Sequence, residues 1–108
     1  MDPEIEKKLQ EVVRRLVTRF QPVKIILFGS YARGTANKES DIDLLVVSDA
    51  EGKTHKLAAL MYQELGSIGI PKDIVVVKPE TVDTYRDLPG TIIYPAFKEG
   101  KVLYERAA

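Results

Sequence analysis

Two short stretches of this chain carry side chains whose types and spacing suit phosphate and metal chemistry. The first is Phe28-Gly29-Ser30-Tyr31-Ala32-Arg33-Gly34 and the second is Ser40-Asp41-Ile42-Asp43-Leu44. Their shared skeleton is Gly-Ser, ten residues, then Asp-x-Asp. A glycine lets backbone come close to a phosphate without a Cβ in the way. If residues 30–33 begin a helical turn, its free N–H groups and the Ser30 hydroxyl make an anion site at that N-terminus. Asp41 and Asp43 stand two apart where a strand starts, so their side chains project from the same face. Adjacent carboxylates repel unless a cation lies between them. Mg²⁺ suits that setting, because it takes a couple of carboxylates, several waters and the oxygens of a phosphate substrate. The two halves together would hold a metal–triphosphate from both sides, as transfer of a nucleotide requires.

Each half alone is a weak signal, since Gly-Ser is also a plain turn and Asp-x-Asp is common at surface turns. At average residue usage the full spaced pattern arises by chance in about one chain of this length in a thousand. Its placement adds weight, because Gly-Ser ends one expected strand and Asp-x-Asp opens the next.

The elements that must position these residues read as follows. Asp2 is an N-cap and Pro3 the first residue of a helix over about residues 3–20, with Ile5, Leu9, Val12, Val13, Leu16, Val17 and Phe20 forming one apolar stripe. Lys7, Lys8, Arg14, Arg15 and Arg19 fall largely off the stripe and read as a solvated face. Val23 to Phe28 is a β-branched strand, and the polar stretch Arg33 to Ser40 a loop. Ile42 to Val47 is a second strand. Residues 53–65 place Leu57, Leu60, Met61 and Leu65 at helical spacing. Gly66 to Pro71 breaks the chain before a third strand, Asp73 to Val77. A short helix is expected over Glu80–Asp87, and another from a Thr91 cap to Glu99 with Pro95 at the end of its first turn. Gly100 reads as a left-handed stop and Lys101 to Glu105 as a last strand. Strands alternating with helices indicate an α/β fold, with a mixed sheet of about four to five strands packed against helices.

At 108 residues, 44% hydrophobic and 30% charged, the chain is expected to be one globular domain over 1–108. Sixteen basic residues balance sixteen acidic ones, which argues against a dedicated nucleic-acid surface. There is no cysteine, so thiolate zinc sites and thiol nucleophiles are excluded. The charged start MDPEIEKKLQ is no signal peptide, and no apolar run reaches membrane-spanning length. The expectation is a cytoplasmic protein with no membrane partner. His55 is the only histidine and reads as a surface residue, while Tyr94 and Tyr104 read as packing residues.

Phe-Gly-Ser-x-Ala-Arg-Gly followed by Ser-Asp-x-Asp-Leu resembles the signature of the polymerase β-like nucleotidyltransferases. The short length and the ending Glu-Gly-Lys-Val-Leu-Tyr-Glu are similar to its smallest branch, the minimal nucleotidyltransferases (MNT proteins). The resemblance implies a nucleotidyltransferase fold, ATP as substrate and two Mg²⁺ ions. Gly29 and Ser30 match the residues that hold the triphosphate, and Asp41 and Asp43 the paired metal ligands. Asp73 matches a third carboxylate, which serves as metal ligand or general base; Asp49 and Asp83 are rivals for that place. Arg33 either faces the phosphates or bonds loop carbonyls. Ser40, beside Asp41, is expected to orient that carboxylate or cap the turn. Where relatives carry an arginine phosphate ligand in the place of Tyr31, this chain has none.

Minimal members resemble antitoxins paired with a HEPN-domain toxin, often an RNase, and some of them transfer AMP to a tyrosine of that toxin. The resemblance therefore implies an adenylyltransferase that silences a partner protein. Two other readings stay open: an antitoxin that inhibits by binding alone, and a transferase acting on a small hydroxylated molecule.

Overall fold

The computed structural model describes residues 1–107. They form α1 (Pro3–Phe20), β1 (Lys24–Phe28), α2 (Ser30–Arg33), β2 (Ile42–Val47), α3 (Thr54–Glu64), β3 (Lys72–Val77), α4 (Pro79–Tyr85), α5 (Ile93–Glu99) and β4 (Lys101–Glu105). The strands make one four-stranded sheet in the order β3-β2-β1-β4. β1 is antiparallel to both β2 and β4, and β2 is parallel to β3. The expected mixed α/β sheet is thus present, with four strands. None of the described helices is long and apolar enough to cross a membrane.

Local chemistry explains the first helix. The Glu4 amide donates to Asp2 Oδ1 at 2.7 Å, Pro3 sets the first turn, and Glu4 and Glu6 place negative charge at the positive end of the helix dipole. Gln21 ends the helix in the left-handed conformation, φ 47°, with its amide on the Val17 carbonyl. Pro22 cannot continue it.

The period of two along each strand sorts the core into two layers. On one face Ile25, Leu27, Leu44, Val46, Ile74 and Val76 meet Leu9, Val12 and Leu16 of α1 and Met61 of α3. On the other, Ile26, Phe28, Leu45, Val47 and Val77 meet Val82 of α4 and Ile93 and Ala96 of α5. Strands β1 and β2 are covered on both sides, which is why they read as continuous apolar runs. Asp43 and Asp73 begin the series 43-45-47 and 73-75-77, so both belong to the face that carries α4 and α5.

Pro95 is the third residue of α5, inside the first turn, where its missing N–H removes no helical bond. The helix starts at Ile93, one residue later than a Thr91 cap would give, with the Tyr94 amide 3.4 Å from the Thr91 hydroxyl. Gly100 corrects the sequence reading. Its φ of −75° and ψ of 164° are extended, not left-handed. Glycine is required there for room: a Cβ would lie 2.1 Å from the Ala96 carbonyl oxygen and 2.5 Å from Ile26 Cγ2.

Gly100→Ala should therefore destabilise the fold by about 1–3 kcal/mol through overpacking. Gly69→Ala, where a Cβ meets nothing within 4 Å and φ is not left-handed, should stay within about 0.5 kcal/mol of the parent. Urea unfolding of the two variants checks this. Equal midpoints would refute the close-approach explanation for Gly100.

Candidate active site

Because β2 and β3 are parallel, their first residues lie side by side, at the end of the sheet where β1 finishes. Register places Phe28 opposite Asp43 and Asp43 opposite Asp73. The Ile42 amide donates to the Pro71 carbonyl at 2.9 Å, closing this end of the two strands together. Lys72 Nζ donates to the Ile68 and Ile70 carbonyls, which fixes the connection leading into Asp73. Burial lowers the pKa of that ammonium.

The chain leaves β1 through Gly29, at φ 74° and ψ −154°. A Cβ on Gly29 would stand 2.2 Å from Asp43 Oδ2. The glycine thus makes space for a carboxylate of this chain, a role the sequence reading, with phosphate approach in mind, missed. The Gly29 carbonyl accepts from the Ala32 and Arg33 amides, each at 3.1 Å. Two of the N–H groups expected to be free in residues 30–33 are therefore occupied. The amides of Ser30 and Tyr31 have no backbone acceptor among the described residues. Tyr31 itself packs against the core layer beneath α1.

Asp43 is half-buried and bonded to no donor among the described residues. Burial raises its carboxyl above the ordinary value, the charges of Asp73 and then Asp41 push it further up, and Arg33 opposes them. The three aspartates singled out from sequence are hence electrostatically one group. Among the described residues no three acidic or imidazole side chains converge closely enough to form a ready-made metal cage.

The other expected site residues lie around this group. Arg33 pairs with Glu99 of α5 at 3.8 Å, both side chains about half exposed, a partner that neither sequence alternative named. Ser40 Oγ accepts from the Asn37 amide at 2.9 Å and so closes the Asn37–Ser40 turn. Of the rivals to Asp73, Asp49 pairs with Arg106 at 2.5 Å. Asp83 lines a shallow groove with Val47, at the opposite end of β2. His55 is exposed, and Tyr104 packs on the core while Tyr94 lies under the Lys98 ammonium. A larger concavity of about 550 Å³ is lined by Tyr31, Gly34, Asn37 and Lys101 and includes none of the three aspartates.

One participant was not legible from sequence. Tyr62, on α3, donates its hydroxyl proton to Asp73 Oδ1 at 3.1 Å and accepts the Ile74 amide at 2.7 Å. Burial raises its phenol pKa; the Ile74 bond lowers it, and the Asp73 contact raises it again. The helical stripe of Leu57, Met61 and Leu65 shows only that Tyr62 points off the core. No spacing rule says that it reaches Asp73.

The fold thus sets carboxylates from adjacent parallel strands beside a Gly-Ser turn at one end of a mixed α/β sheet. Residues 7–102 match the family model described as nucleotidyltransferase domain, and the chain belongs to that family. A Methanocaldococcus jannaschii protein provisionally named protein adenylyltransferase is 35% identical over 89 residues, covering 78% of this chain and 59% of the relative. Another of the same organism and provisional name is 50% identical over 48 residues, 43% of this chain and 48% of the relative. The chain therefore spans about half the length of these curated relatives. Among solved structures, a provisionally named nucleotidyltransferase from Sulfolobus solfataricus superposes with a TM-score of 0.66 at 22% identity, covering 95% of this chain and 84% of the other. A toxin–antitoxin structure with AMP-PNP gives 0.51 at 23% identity, covering 94% and 73%. These structural likenesses support the fold.

Since the folded state raises the Asp43 carboxyl, it binds that proton more readily than the unfolded chain does. The charged form costs stability at neutral pH, and the cost fades as pH falls through the raised value. Asp43→Asn should raise the metal-free Tm at pH 7 by on the order of 2–5 °C, with the gain shrinking towards pH 3.5. Thermal unfolding in chelator at both pH values tests it, and an unchanged or lower Tm at pH 7 would contradict the reading of Asp43.

Proposed function

We propose that the protein is a Mg²⁺-dependent nucleotidyltransferase that moves AMP from ATP to a hydroxyl of a partner protein. We further propose that the partner is a toxin of the HEPN RNase class, which the transfer neutralises. The observation that carries this reading is Asp43, half-buried beside two further carboxylates and bonded to no donor among the described residues, in a space that Gly29 keeps open for it. Such a crowded anionic group has little purpose in an apo fold and strong affinity for a hard cation.

The donor set fits a divalent ion that completes its shell with water and phosphate oxygens. Asp41, Asp43 and Asp73 would hold it, and when bound it would neutralise phosphate charge and acidify the acceptor hydroxyl. The chain's own groups do the rest. Ser30, with the unengaged amides of Ser30 and Tyr31, binds the triphosphate where β1 ends. Arg33 adds positive charge beside the phosphates. Ser40 keeps the Asn37–Ser40 turn closed, which sets the entry of Asp41 beside the nucleotide. Asp73, on the outermost strand, stands within reach of an incoming hydroxyl and receives its proton.

The acceptor class rests on the relatives named protein adenylyltransferase and on the toxin–antitoxin neighbours. Exposed Leu60 on α3 and Val102 on β4 offer apolar area to a protein partner.

Purified protein with Mg²⁺ and α-phosphate-labelled ATP, added to a lysate of the native host, should label one protein band. Asp43→Asn should reduce that label at least about a hundredfold while remaining folded. Mass identification of the band as a HEPN-type RNase would complete the proposal. Label entering RNA or a small molecule would reject the protein acceptor, and equal labelling by Asp43→Asn would reject the site.

A further inference from the structure

The phenol of Tyr62 occupies the position that the proposed reaction reserves for an acceptor hydroxyl. Its oxygen lies 3.1 Å from Asp73 Oδ1, with the proton directed at the carboxylate. The Ile74 amide holds that oxygen from the other side at 2.7 Å. A base acts on a hydroxyl at about 2.6–3.2 Å, and Tyr62 meets that requirement with no partner present. One hydrogen bond accepted and one donated leave the oxygen a lone pair for attack. The residue as a whole is 38% exposed, and its hydroxyl sits at the open edge of β3, against Asp73 and the Ile74 amide. Among the described residues none of the other four tyrosines of the chain donates to a carboxylate.

We propose that Tyr62 is a self-modification site, at which the chain transfers a nucleoside monophosphate from its own bound triphosphate to Tyr62 Oη. The inference rests on the proposed nucleotidyltransferase reading. In the step, a bond forms between Oη and the α-phosphorus while the bond from that phosphorus to the bridging oxygen of the β-phosphate breaks. The phenolic proton passes to Asp73, pyrophosphate leaves with the electron pair of the broken bond, and nothing is oxidised or reduced. Acceptor and donor sit on one chain, so the reaction is unimolecular and favoured by proximity over capture of a hydroxyl from solution. The product carries no phenolic proton, so the bond to Asp73 is lost. A bulky anionic ester then fills the acceptor position, and the modified chain is closed to a protein acceptor until the ester is removed.

The test uses the full chain alone with Mg²⁺ and α-phosphate-labelled ATP, followed by intact mass and peptide mapping. The expected result is one monophosphate per chain, on the peptide containing Tyr62, at a rate independent of protein concentration. Tyr62→Phe and Asp43→Asn should each lower incorporation at least about a hundredfold. Mapping of the wild type locates the adduct even if a variant fails to fold. An adduct on another residue, or equal labelling by Asp43→Asn, overturns the proposal. So does a wild-type chain that stays unmodified while it labels a protein in host lysate, and that outcome leaves the proposed function standing. A chain that labels neither itself nor any other molecule removes both.

Discussion

Like charges directly opposite one another on neighbouring strands weaken a sheet, and Asp43 beside Asp73 is such a pair. Asp41, two residues earlier and just ahead of β2, adds a third negative charge that acts on Asp43. The repulsion is partly desolvated, which makes it stronger than among surface carboxylates. The remainder of the structure can be understood as what keeps those three groups together, with Arg33 giving partial compensation.

Apolar packing does most of that. β1 and β2 are buried on both faces, so the register that aligns Phe28, Asp43 and Asp73 is also the register that fills both core layers. A slip of one residue would turn Leu44 and Val46 out of the layer under α1 and separate the carboxylates at the same time. Gly29 removes the one Cβ that would force Asp43 away. Arg33 contributes a compensating charge while itself held by Glu99 on α5. Helix α5 is thereby connected to the site through electrostatics, although its main task is packing.

Legibility in the sequence followed the range of each interaction. The helices, the strands and the face shared by Asp41 and Asp43 depend on neighbours within a few positions, and the periodicities of 3.6 and 2 expose them. Asp73 was reachable because it opens a strand of the same kind. Gly100 was recognised as a necessary glycine for the wrong reason, since its constraint comes from Ile26 and Ala96, and only the former is distant in the chain. Gly29 likewise answers to Asp43, fourteen positions ahead. Arg33 with Glu99 and Tyr62 with Asp73 are tertiary contacts between exposed polar side chains, and no pattern of hydrophobicity encodes them. The Asn37–Ser40 turn that engages Ser40 is local, and a Ser two residues before a strand signals a turn as readily as a ligand.

The sheet ends in two open edges, and they are treated differently. On β3 the outward amide of Ile74 is taken by a phenol. On β4 the pairing with β1 is interrupted by a bulge between Ile25 and Ile26, and the strand begins at Lys101 and ends at Glu105, with Arg106 following it. Each device denies a neighbouring copy a straight row of backbone groups to pair with. For this chain the protection has particular weight. With sixteen charges of each sign it has no net charge to hold copies apart, so colloidal repulsion contributes little. Resistance to edge-to-edge aggregation, and with it the concentration the protein tolerates in solution, then falls to backbone geometry at its two outermost strands.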